Sequence, residues 1–327
     1  MTENSRNLEN FAFGHRGTQA TLHIALVNNM PDSALRATEL QFARLVKEAS
    51  GNFDVRLHLF AMAEVPRGEV ARSRMEGFYG DAADLPASGM DALIITGAEP
   101  HDGGLEEEPY WHALTRLMDW AESGTISTLF SCLAAHAAVA HFDGIPRRPL
   151  PKKLSGVFDS LRTTDDLLLT GIPPRAATPH SRKNGLQESD LTGHGYRVLT
   201  RLTDGSVDLF VRDGRSRFVF LQGHPEYGAE ALGREYLRDM ARYLDGKGSR
   251  PSIPENYFDR VTENTLETLS ARQAPIGDYN DVVMAAVPLQ SWRSHTLRLF
   301  ANWITGIAAD KPRRRTSRPA AAQHKSP

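Results

Sequence analysis

The chain has 327 residues, one cysteine and a formal net charge of −2, with 40% hydrophobic and 24% charged residues. These values fit a globular protein with a sizeable core and argue against a general nucleic-acid binder. A lone cysteine excludes an internal disulfide framework, no apolar run reaches the ~20 residues that span a bilayer, and the polar N-terminus is unlike a leader, so the expected location is cytoplasmic.

Residues 1–20 read as a polar lead-in. "HIALVNNMP", from His23, reads as a buried strand running into a loop. "ALRATELQFARLVKEAS" then places Leu40, Ala43, Leu45 and Val46 at helical spacing, against Arg36, Glu39, Arg44 and Lys47. "FDVRLHLFAM" alternates as a strand, "RMEGFYGDAADL" fits a short helix with a loop, and "MDALIITGAEP" is a buried strand closed by Gly97. "YWHALTRLMDWAES" is amphipathic through Trp111, Leu114, Leu117, Met118 and Ala121, and "TISTLFSCLAAHAAVAHF" passes from strand to small-residue helix. This alternation predicts an α/β fold with a doubly wound, mainly parallel sheet.

From about 147 to 222 the pattern changes to short strands and turns, with Asp-Gly pairs at 204–205 and 213–214 that suit hairpins. This is a β-hairpin-rich insertion. Two C-terminal helices follow, "ALGREYLRDMARYLDG" and "SWRSHTLRLFANWITGIA". One domain over 21–308 is expected, followed by a basic, Pro/Ala-rich tail over 309–327 expected to be disordered. Neither a GxGxxG nor a GxxxxGK[ST] phosphate loop is present.

The chemistry concentrates at two strand ends. Cys132 stands where the apolar run "STLFS" gives way to alanines, the pattern of a strand–nucleophile–helix elbow. A helix N-terminus at that point favours thiolate. "RFVFLQGHPEYG" is a second apolar strand, with His224 and Glu226 just past its end. Cysteine, histidine base and orienting carboxylate would complete a triad. A single cysteine is more often a small core residue than a nucleophile, but open α/β sheets place their chemistry at strand ends.

At these residues the chain resembles class I glutamine amidotransferase-like domains and, within them, the homoserine O-acyltransferases (O-succinyl- or O-acetyltransferases) of methionine biosynthesis. The matching pieces are "NNMPDSALRATELQF", "LIITGAEP", "STLFSC", "GIPRRPLPKKLSGVF", "PHSR", "GHPEYGAEALGREYLRD", "PENYF" and "WRSHTLRLFANW", in family order over roughly 22–305. The resemblance implies ping-pong acyl transfer from acyl-CoA to L-homoserine, with succinyl-CoA the expected donor. Cys132 would carry the acyl group, His224 would move the protons and Glu226 would orient it. Lys153, Ser181 and Arg238 match substrate-contacting positions, and His101 falls where acetyl and succinyl donors are told apart. Neither a cofactor nor a metal is implied; a homodimer is. The readings left open are an acetyl donor, another hydroxy amino acid, a glutamine amidotransferase-type hydrolase and a non-catalytic relative.

Three departures stand out. The family's Cys-Trp-Gly-Ala-Gln-Ala is Cys132-Leu133-Ala134-Ala135-His136-Ala137 here, which predicts strain at Ala134 if a left-handed backbone is required there. A family lysine after Met-Pro is replaced by Asp32-Ser33, with Arg36 the next cation along. The donor-selecting position holds a histidine, His101, rather than the usual Glu or Gly. A cationic or neutral side chain there suits an acyl group bearing a carboxylate.

Overall fold

A computed structural model describes residues 11–13, 21–98 and 103–317. In chain order the elements begin with β1 (Phe11–Phe13), β2 (Leu22–Val27), α1 (Asp32–Ala49), β3 (Val55–Ala61), α2 (Glu69–Met75), β4 (Tyr79–Asp81) and α3 (Leu85–Ser88). β5 (Ala92–Ile95), α4 (Trp111–Gly124), β6 (Ser127–Ser131) and α5 (Leu133–Asp143) come next. The hairpin region comprises β7 (Arg148–Arg162), β8 (Arg175–Gly185), α6 (Glu188–Gly193), β9 (Arg197–Leu202), β10 (Val207–Arg212) and β11 (Arg217–Leu221). The last described elements are the helices α7 (Ala231–Leu244), α8 (Arg260–Ala271), α9 (Ile276–Ala285) and α10 (Arg293–Ser317).

Among the described residues, eleven strands join one sheet in the order β1-β3-β2-β5-β6-β11-β10-β9-β7-β8, with β4 on β3. The contacts β3–β2, β2–β5, β5–β6 and β6–β11 are parallel. Those from β11 out to β8 are antiparallel. The expected doubly wound sheet and its hairpin-rich insertion are both present, and Gly205 supplies the positive φ of 86° that the β9–β10 turn needs.

Side chains of successive residues leave a strand on opposite faces. Ala25, Val27, Leu93, Ile95, Phe130, Phe218 and Phe220 accordingly pack on one face with α4 and α5. Their neighbours Ile24, Leu26, Ala92, Ile94, Leu129, Val219 and Leu221 pack on the other with α1 and α10. A third cluster joins α7, α8 and α9 to Val157 of β7 through Tyr236, Met240, Leu266, Tyr279 and the buried Trp292.

Several elements differ from expectation. β7 runs for 15 residues and pairs along β8, because an antiparallel partner keeps its backbone bonded well beyond the short apolar stretch. "RMEGFYGDAADL" is not one helix: its first two residues end α2, Tyr79–Asp81 form β4 beside β3, and Ala82–Asp84 make a 3-10 turn that leads into α3. α10 runs on to Ser317, past the expected start of a disordered tail at 309. Lys311 anchors it, donating to the Thr21 carbonyl and to Asp91, each at 2.6 Å. Within the lead-in, Phe11–Phe13 pair with β3.

Candidate active site

The parallel pairing of β6 with β11 brings the two motifs together. Ser131 lies opposite Leu221 in the register, and the Cys132 amide donates to the Leu221 carbonyl at 2.7 Å. A separation of 92 positions in sequence (224 − 132) therefore becomes a step between adjacent strand ends. Cys132 is the N-cap of α5, with φ 51° and ψ −109°. That conformation costs a residue with a Cβ about 1–3 kcal/mol. It turns the chain sharply from strand to helix, as the elbow requires. Among the described residues only Asn256 and Gln273 share a positive φ without being glycine, so the strain expected at Ala134 is instead at Cys132. Ala134 is an ordinary buried residue of the helix.

Gly97, at the end of β5, allows the elbow to close. A Cβ there would come within 3.0 Å of the Leu133 Cβ and 3.3 Å of its backbone nitrogen. The first N–H groups of a helix have no intrahelical partner, so Leu133 offers a donor beside the sulfur-bearing residue.

Cys132 is half-buried, not packed among aliphatic neighbours in the core. His224 and Glu226 are both buried, and His224 Nδ1 lies 2.8 Å from Glu226 Oε1. Burial alone would lower the His224 pKa. Attraction to Cys132 and Glu226, with the hydrogen bond to Glu226, overcomes this and raises it well above the ordinary histidine value. The three residues thus interact as a chain, Cys132–His224–Glu226. His224 is held from behind as well, since its amide donates to the Pro179 carbonyl at 2.7 Å. Tyr227 stacks on its ring with centroids 4.3 Å apart.

Lys153, Ser181 and Arg238 form a second cluster beside this chain. Lys153 of β7 donates to Asp239 at 2.7 Å and lies 3.5 Å from Glu235. Ser181 of β8 donates to Glu235, and Tyr227 donates to the other Glu235 oxygen at 2.6 Å. Arg238 Nε donates to Asp239 at 3.0 Å. Burial would raise the Glu235 carboxyl, but Lys153, His224 and the two hydroxyl donors hold it below its usual range. Asp239 is likewise lowered, because its bonds to Lys153 and Arg238 outweigh burial.

Sequence reasoning missed Glu235 and Asp239. The available signal was helical spacing: Glu235, Arg238 and Asp239 stand at i, i+3 and i+4 on α7, one face of one helix. His136, the fifth residue of the elbow motif, is 3% exposed. Burial, and then the positive charges of Arg182 and Arg147, lower its pKa to about 3. Arg36 is exposed on α1. The Asp32 loop instead engages a cation that the sequence did not single out, Arg67, which donates to the carbonyls of Asn28 and Met30 and pairs with Asp32 at 3.3 Å. His101 lies outside the described residues. Among the described residues no His/Cys/Asp/Glu cluster could hold a metal, and no helix is long and apolar enough to cross a membrane.

Against known proteins, residues 12–312 match the family model "Homoserine O-succinyltransferase". A homoserine O-succinyltransferase of Rhodopseudomonas palustris is 47% identical over 298 residues, covering 88% of this chain and 89% of that protein. Its counterpart from Methylorubrum extorquens is 44% identical over 297 residues, covering 89% and 88%. Among solved structures, a glutamine amido transferase from Methylobacillus flagellatus aligns with a TM-score of 0.50 at 13% identity, covering 94% of this chain and all of that one. That likeness shows a shared fold.

Proposed function

This chain belongs to the homoserine O-succinyltransferase family, and on that premise we propose that it transfers a succinyl group from succinyl-CoA to L-homoserine through an acyl-enzyme on Cys132. The observation that carries this reading is the interacting chain of Cys132, His224 and Glu226 at adjacent strand ends.

In the first half-reaction the Cys132 thiolate attacks the thioester carbonyl, and the N–H groups at the start of α5 stabilise the developing oxyanion. His224, kept protonated by Cys132 and Glu226, gives its proton to the departing CoA thiolate. In the second, neutral His224 takes the proton of the homoserine γ-hydroxyl. The alkoxide oxygen attacks the acyl-thioester, and the Cys132 thiolate leaves. Glu226 holds the imidazole in one tautomer and stabilises its charged form.

The second cluster supplies what a zwitterionic acceptor requires. Arg238 offers a planar fork for the α-carboxylate. Glu235, ionised and partnered by Ser181 and Tyr227, offers a counter-charge for the α-ammonium, and Lys153 keeps that carboxylate ionised.

The test is intact mass after incubation with succinyl-CoA and no acceptor. A succinyl increment on the Cys132 peptide, discharged by homoserine with release of O-succinylhomoserine, is expected. An adduct formed only from glutamine would replace this reading with a hydrolase, and no adduct from any donor would replace it with a non-catalytic role.

A further inference from the structure

Tyr227 ends the turn that carries His224 and Glu226, and its side chain touches both parts of the site. Its ring stacks on the His224 imidazole with centroids 4.3 Å and planes 15° apart. Its hydroxyl donates to one Glu235 oxygen at 2.6 Å, while Ser181 donates to the other and Lys153 lies 3.5 Å from it. Burial, and then the charges of Glu235 and Glu226, raise the phenol well above its ordinary pKa, so the hydroxyl remains a donor. A phenylalanine would fill the same apolar cluster beside α7, α8 and α9; what the oxygen adds is the bond to Glu235.

The main chain of Tyr227 is pinned. Its amide donates to the His224 carbonyl at 3.1 Å, and its carbonyl accepts from Gln290 Nε2 at 3.0 Å and from Trp292 Nε1 at 2.9 Å. Both donors stand just before α10, and Trp292 is fully buried. With its backbone held and the residue 8% exposed, Tyr227 has little freedom to follow its partners, so it sets where they lie. The partners need this. The χ2 torsion of a histidine is broad, and the contact of Nδ1 with Glu226 anchors one edge of the imidazole without fixing the plane of the ring. A stacked face opposes that twist. It also favours a cation lying over it, here the protonated imidazole.

We infer that Tyr227 is a positioning residue that ties acceptor recognition to the base: its ring fixes the plane of the His224 imidazole, and its hydroxyl fixes the Glu235 carboxylate that faces the acceptor. The inference rests on the function proposed above. It adds a residue whose two ends serve the two half-reactions differently.

The experiment measures Cys132 acylation by succinyl-CoA in single turnover, and the steady-state KM for homoserine, in the unvaried protein, Tyr227→Phe and Tyr227→Leu. Tyr227→Phe keeps the stack and deletes the bond to Glu235. It should raise the homoserine KM about 10-fold, the low end for a hydrogen bond to a charged group because Ser181 and Lys153 remain, with a much smaller change in acylation. Tyr227→Leu also removes the aromatic face. It should slow acylation about 3- to 30-fold, the range for a cation over a ring, and move the alkaline limb of acylation toward lower pH, because the protonated imidazole loses support. The titratable groups acting on His224 are Cys132 at the elbow, Glu226 on its own turn, Glu235 on α7 and His180 on β8. Neither variant alters them, so a moved limb reports the lost ring. Acylation lost equally in both variants, an unmoved homoserine KM in Tyr227→Phe, or an unmoved limb in Tyr227→Leu would overturn the inference while leaving the acyl-enzyme intact. Should Tyr227→Leu fail to fold, the split between KM and acylation in Tyr227→Phe decides alone. Absence of any acyl adduct on the unvaried protein would instead remove the underlying reading, and the inference with it.

Discussion

The reacting chain and the charged cluster beside it are held in different ways. Cys132 and His224 are fixed by backbone: register between β6 and β11, the Cys132 amide on Leu221, and the His224 amide on Pro179. Lys153 and Ser181 come from the paired strands β7 and β8, and they meet Glu235 and Asp239 of α7 through side-chain bonds. The first arrangement stores strain at one residue, Cys132, and tolerates no displacement of the elbow. The second consists of long side chains, which on the proposed function would exchange partners when a zwitterion arrives. On that proposal backbone sets where bonds break, and rotatable side chains set what is held there.

The sharpest way to break this comparison is Cys132→Ser. An oxygen nucleophile at the same strained φ keeps the shape but lacks a readily formed anion. Turnover should fall by at least ~10³-fold, with no change in the melting profile beyond a degree or two. Cys132→Gly should go further in separating shape from chemistry. It should be equally inactive yet more stable by about 1 kcal/mol, because glycine adopts φ 51° without strain. A less stable glycine variant would show that the elbow is not strained.

Glu226→Gln should come next. It leaves the imidazole and removes one of the charges that raise the His224 pKa. A histidine whose folded pKa is raised stays protonated below that value and loses its proton as pH climbs through it. Weakening the cause therefore moves the alkaline limb of the kcat/KM profile toward lower pH. The expected loss in kcat is about 10²-fold, smaller than for His224→Ala, since orientation of the base is disturbed and the base itself retained. Equal losses, or an unmoved alkaline limb, would separate Glu226 from His224.

Arg238→Ala tests the side-chain region. It should raise KM for the amino-acid acceptor about 10- to 100-fold, the range for a lost charge-assisted pair, while pre-steady-state acylation of Cys132 is unchanged. An effect on acylation would show that the two regions are coupled.

The contrast also explains what was legible in sequence. Strands and helices that alternate with clear periodicity, up to the elbow and through β11, were readable because burial on both faces of a parallel sheet leaves an apolar run. The candidate triad was readable because its members sit at the ends of such runs. β8 was not: "RAATPHSRKNG" carries polar residues through most of its length, and its strand state comes from pairing with β7. The charged cluster was half readable. Lys153, Ser181 and Arg238 entered through family likeness, whereas Glu235 and Asp239 look in sequence like the solvated face of an amphipathic helix until β7 and β8 are laid over them. The strain was assigned two residues late, to Ala134, because sequence shows that a tight turn exists but not which peptide absorbs it.

His136 gives the smallest expected effect and the clearest sign. It is held neutral in the folded protein, with a pKa of about 3, by burial and then by Arg182 and Arg147. Its unfolded value is 6.5. Between those values the unfolded chain binds the extra proton, so stability falls as pH falls, beginning near 6.5 and levelling off near 3. The two values imply a loss of about 2 kcal/mol at pH 5 from this residue alone. Glutamine, the residue the family likeness implies at this position, has no such proton to bind. The drop in melting temperature between pH 7.5 and pH 5 should therefore be smaller in His136→Gln by a few degrees, whatever the substitution does to absolute stability. An unchanged drop would mean that the imidazole is already solvated or protonated in the folded state, and that the interior behind the elbow is wetter than its packing implies.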